Sequence, residues 1–505
     1  MDTSTILRIV CACAFAGACA ASTPEPAPPP PPNPVVTDTA TPPVLRTQRD
    51  LVLLGTTDVH NRLYPYDYYT QQELPYGLAR LKPLIDSVRA AHEGKTYLFD
   101  SGDLLQGNPL GFVYARQQAN QPNPVIRAMN LLRYDASAIG NHEYNYGLAH
   151  LNRALGLAKF PFVAGNIFKH GTNDHAYRPY ALIPHVAAPG DTILIGVTGN
   201  TPPGVHIWDR QNVEGVLQFR RVVESLKPVV REMRARGADL VVVLSHGGFE
   251  GTSYDTIASG VPPENEAARL AREVPEIDVV FLGHTHRELA DSVINGVTFT
   301  QAKNWAQSLA QVNVTMERRG QSDWIAVNKR GSILRPTALR ADTAFLDSLR
   351  WEHERTVAYV NSVVGSSTAE MTAREARTKD TPILDFVTAV MRRAANADLA
   401  ATAAFDINSR LPKGPVRIAD IAGLYVYDNT LKAIRITGAQ LRAYLEKSAE
   451  YFGSTNIPGY NFDVISGPNL SYTIDISQPV GQRITQLRYK SLAVRDDQTF
   501  TLALN

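Results

Sequence analysis

Leu51-Val52-Leu53-Leu54-Gly55-Thr56-Thr57-Asp58-Val59-His60 decides the fold. The apolar run 51–55 is bounded by glycine and is short, which suits a strand buried on both faces. Asp58 and His60 follow at once. At a strand end, residues two apart point the same way, so a carboxylate and an imidazole share one side of the junction. In open α/β sheets this carboxyl edge is where ligands sit. Taken alone, Asp-x-His is weak and is better explained by a hydrogen-bonded turn.

The same texture recurs downstream. Apolar runs stand at 97–99, 193–197, 240–244 and 279–282, with helical patterns at 78–91 and 219–236 between them. Alternation of strand and helix predicts an α/β fold with buried strands. The runs 293–300 and 310–315 read as paired strands closing that domain.

Four further polar clusters sit at the ends of such runs. Asp100-Ser101-Gly102-Asp103 offers two carboxylates, with a glycine that allows close backbone approach. Gly140-Asn141-His142-Glu143 supplies a neutral oxygen ligand and an adjacent imidazole. Ser245-His246-Gly247-Gly248 and Gly283-His284-Thr285-His286 complete the set. Each has a bland explanation; the joint pattern does not. Of twelve histidines, five (His60, His142, His246, His284, His286) fall in these clusters. The other seven (His92, His150, His170, His175, His185, His206, His353) read as surface or incidental. Mixed imidazole and carboxylate donors suit Mn, Zn, Fe or Co better than Mg or Ca.

The 505 residues exceed one ordinary core and predict about three domains. With 50 basic and 49 acidic residues the net charge is +1, so nothing global draws the chain to nucleic acid or an anionic membrane. All three cysteines (Cys11, Cys13, Cys19) lie near the N-terminus, which excludes a disulfide or a thiolate metal site in the body. Residues 6–21 read as a secretory signal, too short to span a membrane. Ala16-Gly17-Ala18-Cys19 resembles a bacterial lipobox that would lipidate Cys19, although Ala16 stands where leucine is usual; plain cleavage near Ala21 is the other reading. Residues 22–49 are a proline-rich tether or disordered tail, incompatible with a packed core.

Five segments are therefore expected: a signal over 1–21, a tether over 22–49, a first domain over 50–335, a connector helix over 336–365 (its pattern strongest from Asp342 to Val363), and a second domain over 366–505. In the second domain the pattern predicts helices at 383–395 and 438–451 and strands at 424–427 and 431–436. Residues 499–505 alternate like a strand.

The five motifs together, in this order over 50–335, resemble the calcineurin-like metallophosphoesterases. The region after 366 resembles the 5'-nucleotidase C-terminal domain. Gly140-Asn141-His142-Glu143-Tyr144-Asn145-Tyr146-Gly147-Leu148 is similar to the form in 2',3'-cyclic-nucleotide 2'-phosphodiesterase/3'-nucleotidases; 5'-nucleotidases usually carry Asp at the position of Asn145. Ser101-Gly102-Asp103-Leu104-Leu105-Gln106-Gly107, residues 424–431 and residues 460–465 match that branch too.

The resemblance implies an α/β (α+β) architecture: a metallophosphoesterase β-sandwich flanked by helices, a connector helix and a 5'-nucleotidase-type α/β domain. It implies two divalent metal ions. Asp58, His60, Asp103 and His286 would hold one, and Asp103, Asn141, His246 and His284 the other, with Asp103 bridging. His142 would stabilise the transition state or protonate the leaving oxygen. An amide at Asn145 cannot hold His142 charged as a carboxylate could. Tyr427 would stack on a nucleobase, although a strand-core aromatic fits it as well; Asn429 would bond the base edge, and Arg410 would lie near the substrate. The family continues beyond the strand at 499–505, so an incomplete second domain is expected.

The expected activity is hydrolysis of nucleotide phosphoesters by a 2',3'-cyclic-nucleotide phosphodiesterase with 3'-nucleotidase activity. A 5'-nucleotidase or UDP-sugar hydrolase, and a nucleotide-binding surface protein without turnover, are the alternatives. A monomeric periplasmic or cell-surface lipoprotein is expected, touching the membrane only through its lipid and binding nucleotides rather than nucleic acid polymers.

Overall fold

Strand β1 (Arg46–Thr56) is buried from Leu51 onward. Its side chains alternate between two cores: Leu51 and Leu53 enter one, Val52 and Leu54 the other. Both faces are covered, which is why the run shows no polar alternation. This computed structural model describes residues 46–320, 323–337, 339–403, 407–424, 430–453 and 462–504. The chain divides after Leu45. Residues 1–45, with the signal, Cys19 and most of the tether, lie outside the described residues.

After β1 come α1 (Leu78–Ala91), β2 (Thr96–Asp100), α2 (Pro124–Leu132), β3 (Ala136–Ala138), α3 (Leu148–Leu157) and β4 (Phe162–Val163). Then follow β5 (Tyr180–Ala188), β6 (Asp191–Asn200), α4 (Val222–Ala235), β7 (Leu240–Ser245), α5 (Ala267–Glu273) and β8 (Val279–Leu282). Four strands complete the domain: β9 (Leu289–Ile294), β10 (Val297–Gln301), β11 (Leu309–Arg319) and β12 (Ile325–Leu334).

These strands form two six-stranded sheets, in the orders β12-β11-β1-β2-β3-β4 and β9-β10-β8-β7-β6-β5. In the first, β1 to β4 run parallel and β11 and β12 are antiparallel additions. In the second, β6, β7, β8 and β10 are parallel. The sheets share an apolar layer that includes Leu53, Phe99, Ala138, Val197, Leu244 and Phe281. Helices α1 to α3 cover the outer face of the first sheet, and α4 and α5 that of the second. The result is a four-layer sandwich. The parallel strands β1, β2, β7 and β8 deliver their carboxyl ends, and the polar clusters after them, to one edge.

The connector differs from the single helix expected over Asp342 to Val363. It is two helices, α6 (Thr343–Ser348) and α7 (Arg350–Val360), broken at Leu349. Leu349 is fully buried, and the Ser348 carbonyl is taken by Arg127 Nη2 at 3.0 Å. Arg127 also pairs with the buried Glu352, and Tyr64 stacks on His353 with centroids 4.1 Å apart. The break lets the connector follow the first domain's surface.

Beyond the connector, four strands form a sheet in the order Lys432–Thr437, Thr499–Leu504, Leu399–Ala403, Asp463–Ser466. The strand Thr499–Leu504 is therefore central, with Leu502 and Ala503 buried. Helix Pro382–Ala395 packs on this sheet, and Gly438–Ala449 starts with a capping box from Thr437 and Gln440. The strand expected at 424–427 is corrected in part. Residues Ile418–Leu424 form a helix, started where Asp420 accepts from the Arg417 N–H at 2.7 Å. Residues 425–429 lie outside the described residues.

Candidate metal centre

The loops after β1 and β2 run side by side, locked by Asp58 N–H to Gly102 O (2.9 Å) and His60 N–H to Asp103 O (2.9 Å). The expected ligands do not lie on pleated strand ends. Asp58, His60, Asp103, His284 and His286 all have left-handed backbones, with φ from 49° to 68°. Non-glycine residues pay strain to adopt this region, and such strain gathers at functional sites. The shared direction of Asp58 and His60 thus comes from turns beyond the strands. Gly102 (φ +96°) permits the approach: a Cβ there would lie 2.6 Å from Gly140 N.

Two triads result, Asp58/His60/His286 and Asp103/His246/His284, each with ligand atoms within 4.8 Å of one another. His286 Nε2 lies 3.4 Å from Asp58 Oδ1 and 3.2 Å from His60 Nε2. Asp103 Oδ2 faces both triads, 3.0 Å from His246 Nε2 in its own and 3.8 Å from His60 Nε2 in the other. Asn141 Oδ1 is 3.0 Å from His246 Nε2.

The protons on these rings are set from behind. His60 Nδ1 donates to Gln106 O and His246 Nδ1 to Ser101 O, both at 2.7 Å, so each Nε2 is turned to the cluster. His284 Nε2 is taken by Glu264 at 2.7 Å, which leaves Nδ1 for a cation. Burial depresses His60 to about 4. Burial alone would depress His246 too, but Asp103, with Asp58 and Glu143, holds it up at about 10. Burial would likewise raise Glu264, yet hydrogen bonds from His284 and Ser253 hold it near 2. Imidazole nitrogens and carboxylate oxygens converging on two buried points, with outer partners already satisfied, fit two divalent cations.

His142 sits beside this cluster. Its backbone N–H donates to Asp103 Oδ1 at 2.8 Å, and its ring Nδ1 lies 2.6 Å from Asn145 Oδ1. Glu143, which the sequence marks only as part of its motif, is fully buried and accepts four backbone N–H groups, from Gly140, Asp103, Leu104 and Leu105. It ties the second and third motifs together. Asp100 turns away from the cluster, to Thr56 Oγ1, Gly102 N and Ser137 Oγ.

Glu264 and Asp209, which binds Asn145 Nδ2 at 2.9 Å, went unnoticed in the sequence. Neither follows a strand or belongs to a motif, so no local signal marks them. The seven remaining histidines are not all surface residues. His150 and His185 are buried, and His206 accepts from Phe219 N. Arg410 is exposed, with Glu370 as an ionic neighbour at 3.9 Å. Tyr427 and Asn429 lie outside the described residues.

Fold and site define a two-cation phosphoesterase. Residues 51–288 match the calcineurin-like phosphoesterase family and residues 363–505 the 5'-nucleotidase C-terminal domain. The chain is 31% identical to the 2',3'-cyclic-nucleotide 2'-phosphodiesterase/3'-nucleotidase of Haemophilus influenzae, over 90% of this chain and 79% of that one. It is 29% identical to the trifunctional nucleotide phosphoesterase protein YfkN of Bacillus subtilis over 92% of its own length, but spans only 36% of that protein. A putative 5'-nucleotidase from Staphylococcus aureus, solved with alpha-ketoglutarate, superposes with a TM-score of 0.74 at 25% identity, over 90% of each chain. The chain belongs to the calcineurin-like phosphoesterases that carry a 5'-nucleotidase C-terminal domain.

Proposed function

We propose that this protein opens 2',3'-cyclic nucleotides at the 2' bond and removes phosphate from 3'-nucleotides. One observation carries the hydrolytic part: Asp103 Oδ2, a member of one ligand triad, also lies 3.8 Å from His60 Nε2 of the other, with His142 held beside it. The finer substrate choice is supported by Asn145 and by relatives of that name at 29–31% identity, against 23% for a 5'-nucleotidase of Vibrio cholerae.

Asp58, His60 and His286 would hold one cation; His246, His284 and Asn141 the other; Asp103 would serve both. Two divalent cations bound there would supply Lewis acidity to the phosphate and lower the pKa of a water. The chain's own residues orient and move protons. Gln106 O and Ser101 O fix two imidazoles, Glu264 fixes a third, and Glu143 holds the Asp103 loop. His142 gives a proton from Nε2 to the departing ribose 2' oxygen, so an alcohol rather than an alkoxide leaves. Stacking by Tyr427, with Asn429 and Arg410, is our reading of nucleoside binding in the second domain. Export, and lipid attachment at Cys19, are proposed from residues 6–21 alone.

The test compares 2',3'-cyclic AMP, 3'-AMP, 5'-AMP and a UDP-sugar on purified protein with Mn, with and without chelator. The first two are expected to turn over at least about tenfold faster in kcat/KM, a difference that a pocket selective for polar groups readily supplies. A preference for 5'-AMP or the UDP-sugar would overturn the substrate assignment, and absence of turnover of all four would overturn hydrolysis.

A further inference from the structure

Asp209 takes no part in the reading above. It joins two short helices, Val205–Trp208 and Arg210–Val213, and is 4% exposed. Two amides point at it: Asn145 Nδ2 lies 2.9 Å from Oδ2, and Asn212 Nδ2 lies 3.2 Å from Oδ1. Asn212 Nδ2 also reaches the Tyr144 carbonyl at 3.0 Å, which ties this junction to the short helix His142–Tyr144.

The Asn145 amide has two unlike ends. An ionised carboxylate only accepts, so Nδ2 must face Asp209 and Oδ1 must face His142. Oδ1 in turn only accepts, so His142 Nδ1 carries a proton and Nε2 is the nitrogen that exchanges one. Were the amide reversed, Oδ1 would oppose the Asp209 carboxylate. Nδ2 would then donate to His142 Nδ1, and the ring's proton would sit on Nε2 instead.

We propose that Asp209 is a positioning residue: through Asn145 it sets which ring nitrogen of His142 is free to pass a proton to the leaving oxygen. This rests on His142 being that proton donor. An alkoxide leaving group needs the proton; a nitrophenolate leaves without it.

The experiment compares kcat for a 2',3'-cyclic nucleotide with kcat for bis(p-nitrophenyl) phosphate, in Mn-loaded wild type, Asp209→Asn, His142→Ala and the exchanged pair Asn145→Asp/Asp209→Asn. Asp209→Asn is expected to lower the ratio of the two kcat values about tenfold or more, with KM changed less than about threefold and metal content intact. The exchanged pair keeps an acceptor against His142 and is expected to recover the ratio. In metal-free protein, ring 15N spectra are expected to show the His142 proton on Nδ1 in wild type and mixed tautomers in Asp209→Asn. If His142→Ala collapses the ratio while Asp209→Asn leaves it at the wild-type value, or lowers both rates alike, Asp209 is merely structural and the inference falls. If His142→Ala itself lowers both rates alike, the proton-donor reading fails and takes the inference with it.

Discussion

Replacing Glu143 by glutamine removes no bulk and one charge, and its cost can be worked from the hydrogen bonds. Oε2 accepts from Gly140 N at 2.6 Å and Asp103 N at 2.9 Å. Oε1 accepts from Leu104 N and from Leu105 N at 3.2 Å. A carboxylate can face both pairs; an amide has one oxygen, so its NH₂ must meet the other pair donor to donor. Two N–H groups then lose an ionised acceptor, at roughly 1.5–3 kcal/mol each. Relief of repulsion with Asp103 returns about 1 kcal/mol. The net loss is on the order of 2–5 kcal/mol. At about 2 °C per kcal/mol for a domain of this size, the first domain of metal-free Glu143→Gln should melt roughly 4–10 °C lower. Because the same N–H groups belong to the loop that carries Asp103, metal content should fall as well. Calorimetry of metal-free protein, with elemental analysis after Mn loading, checks both. A melting shift under about 1 °C with full metal content would refute the idea that Glu143 holds the Asp103 loop.

Asp103→Asn is expected to abolish the thermal stabilisation by Mn, which at 100-fold over Kd is about 2.7 kcal/mol per site, whereas Asp58→Asn retains one ion; equal losses would show that Asp103 does not serve both triads. Gly107→Ala would place a Cβ 2.5 Å from His60 Cβ at φ +136°, so kcat should drop about tenfold or more through a displaced ligand; an unchanged kcat would mean that the ring is not held there. Burial, with Arg153 and Arg116 nearby, depresses His150 to about 4, so its folded pKa lies below the unfolded value of about 6.5. Its contribution is complete above pH 6.5 and is lost as pH falls towards 4. His150→Gln should therefore lose on the order of 2–3 kcal/mol less than wild type between pH 7 and 4, measured by urea unfolding.

The central parallel strands were legible because they are buried on both faces and so read as unbroken apolar runs, as in residues 51–55 and 240–244. The helix Ile418–Leu424 left no reading in the sequence because its start depends on one short-range cap from Asp420. The connector's break at Leu349 was invisible because the group that takes the Ser348 carbonyl, Arg127, lies more than two hundred residues earlier in the chain.

By itself the sequence singled out the residues of the candidate site: Asp58, His60, Asp103, Asn141, His142, His246, His284 and His286, each beside a recognisable strand. The tertiary structure alone decided their orientation. Left-handed turns beyond the strands aim Asp58 and His286 at each other, Glu264 selects a nitrogen of His284, and Asp209 selects an end of Asn145. Residue types and strand ends are local properties, written where they act. The direction of a hydrogen bond depends on a partner from elsewhere in the chain, and only folding brings the two together.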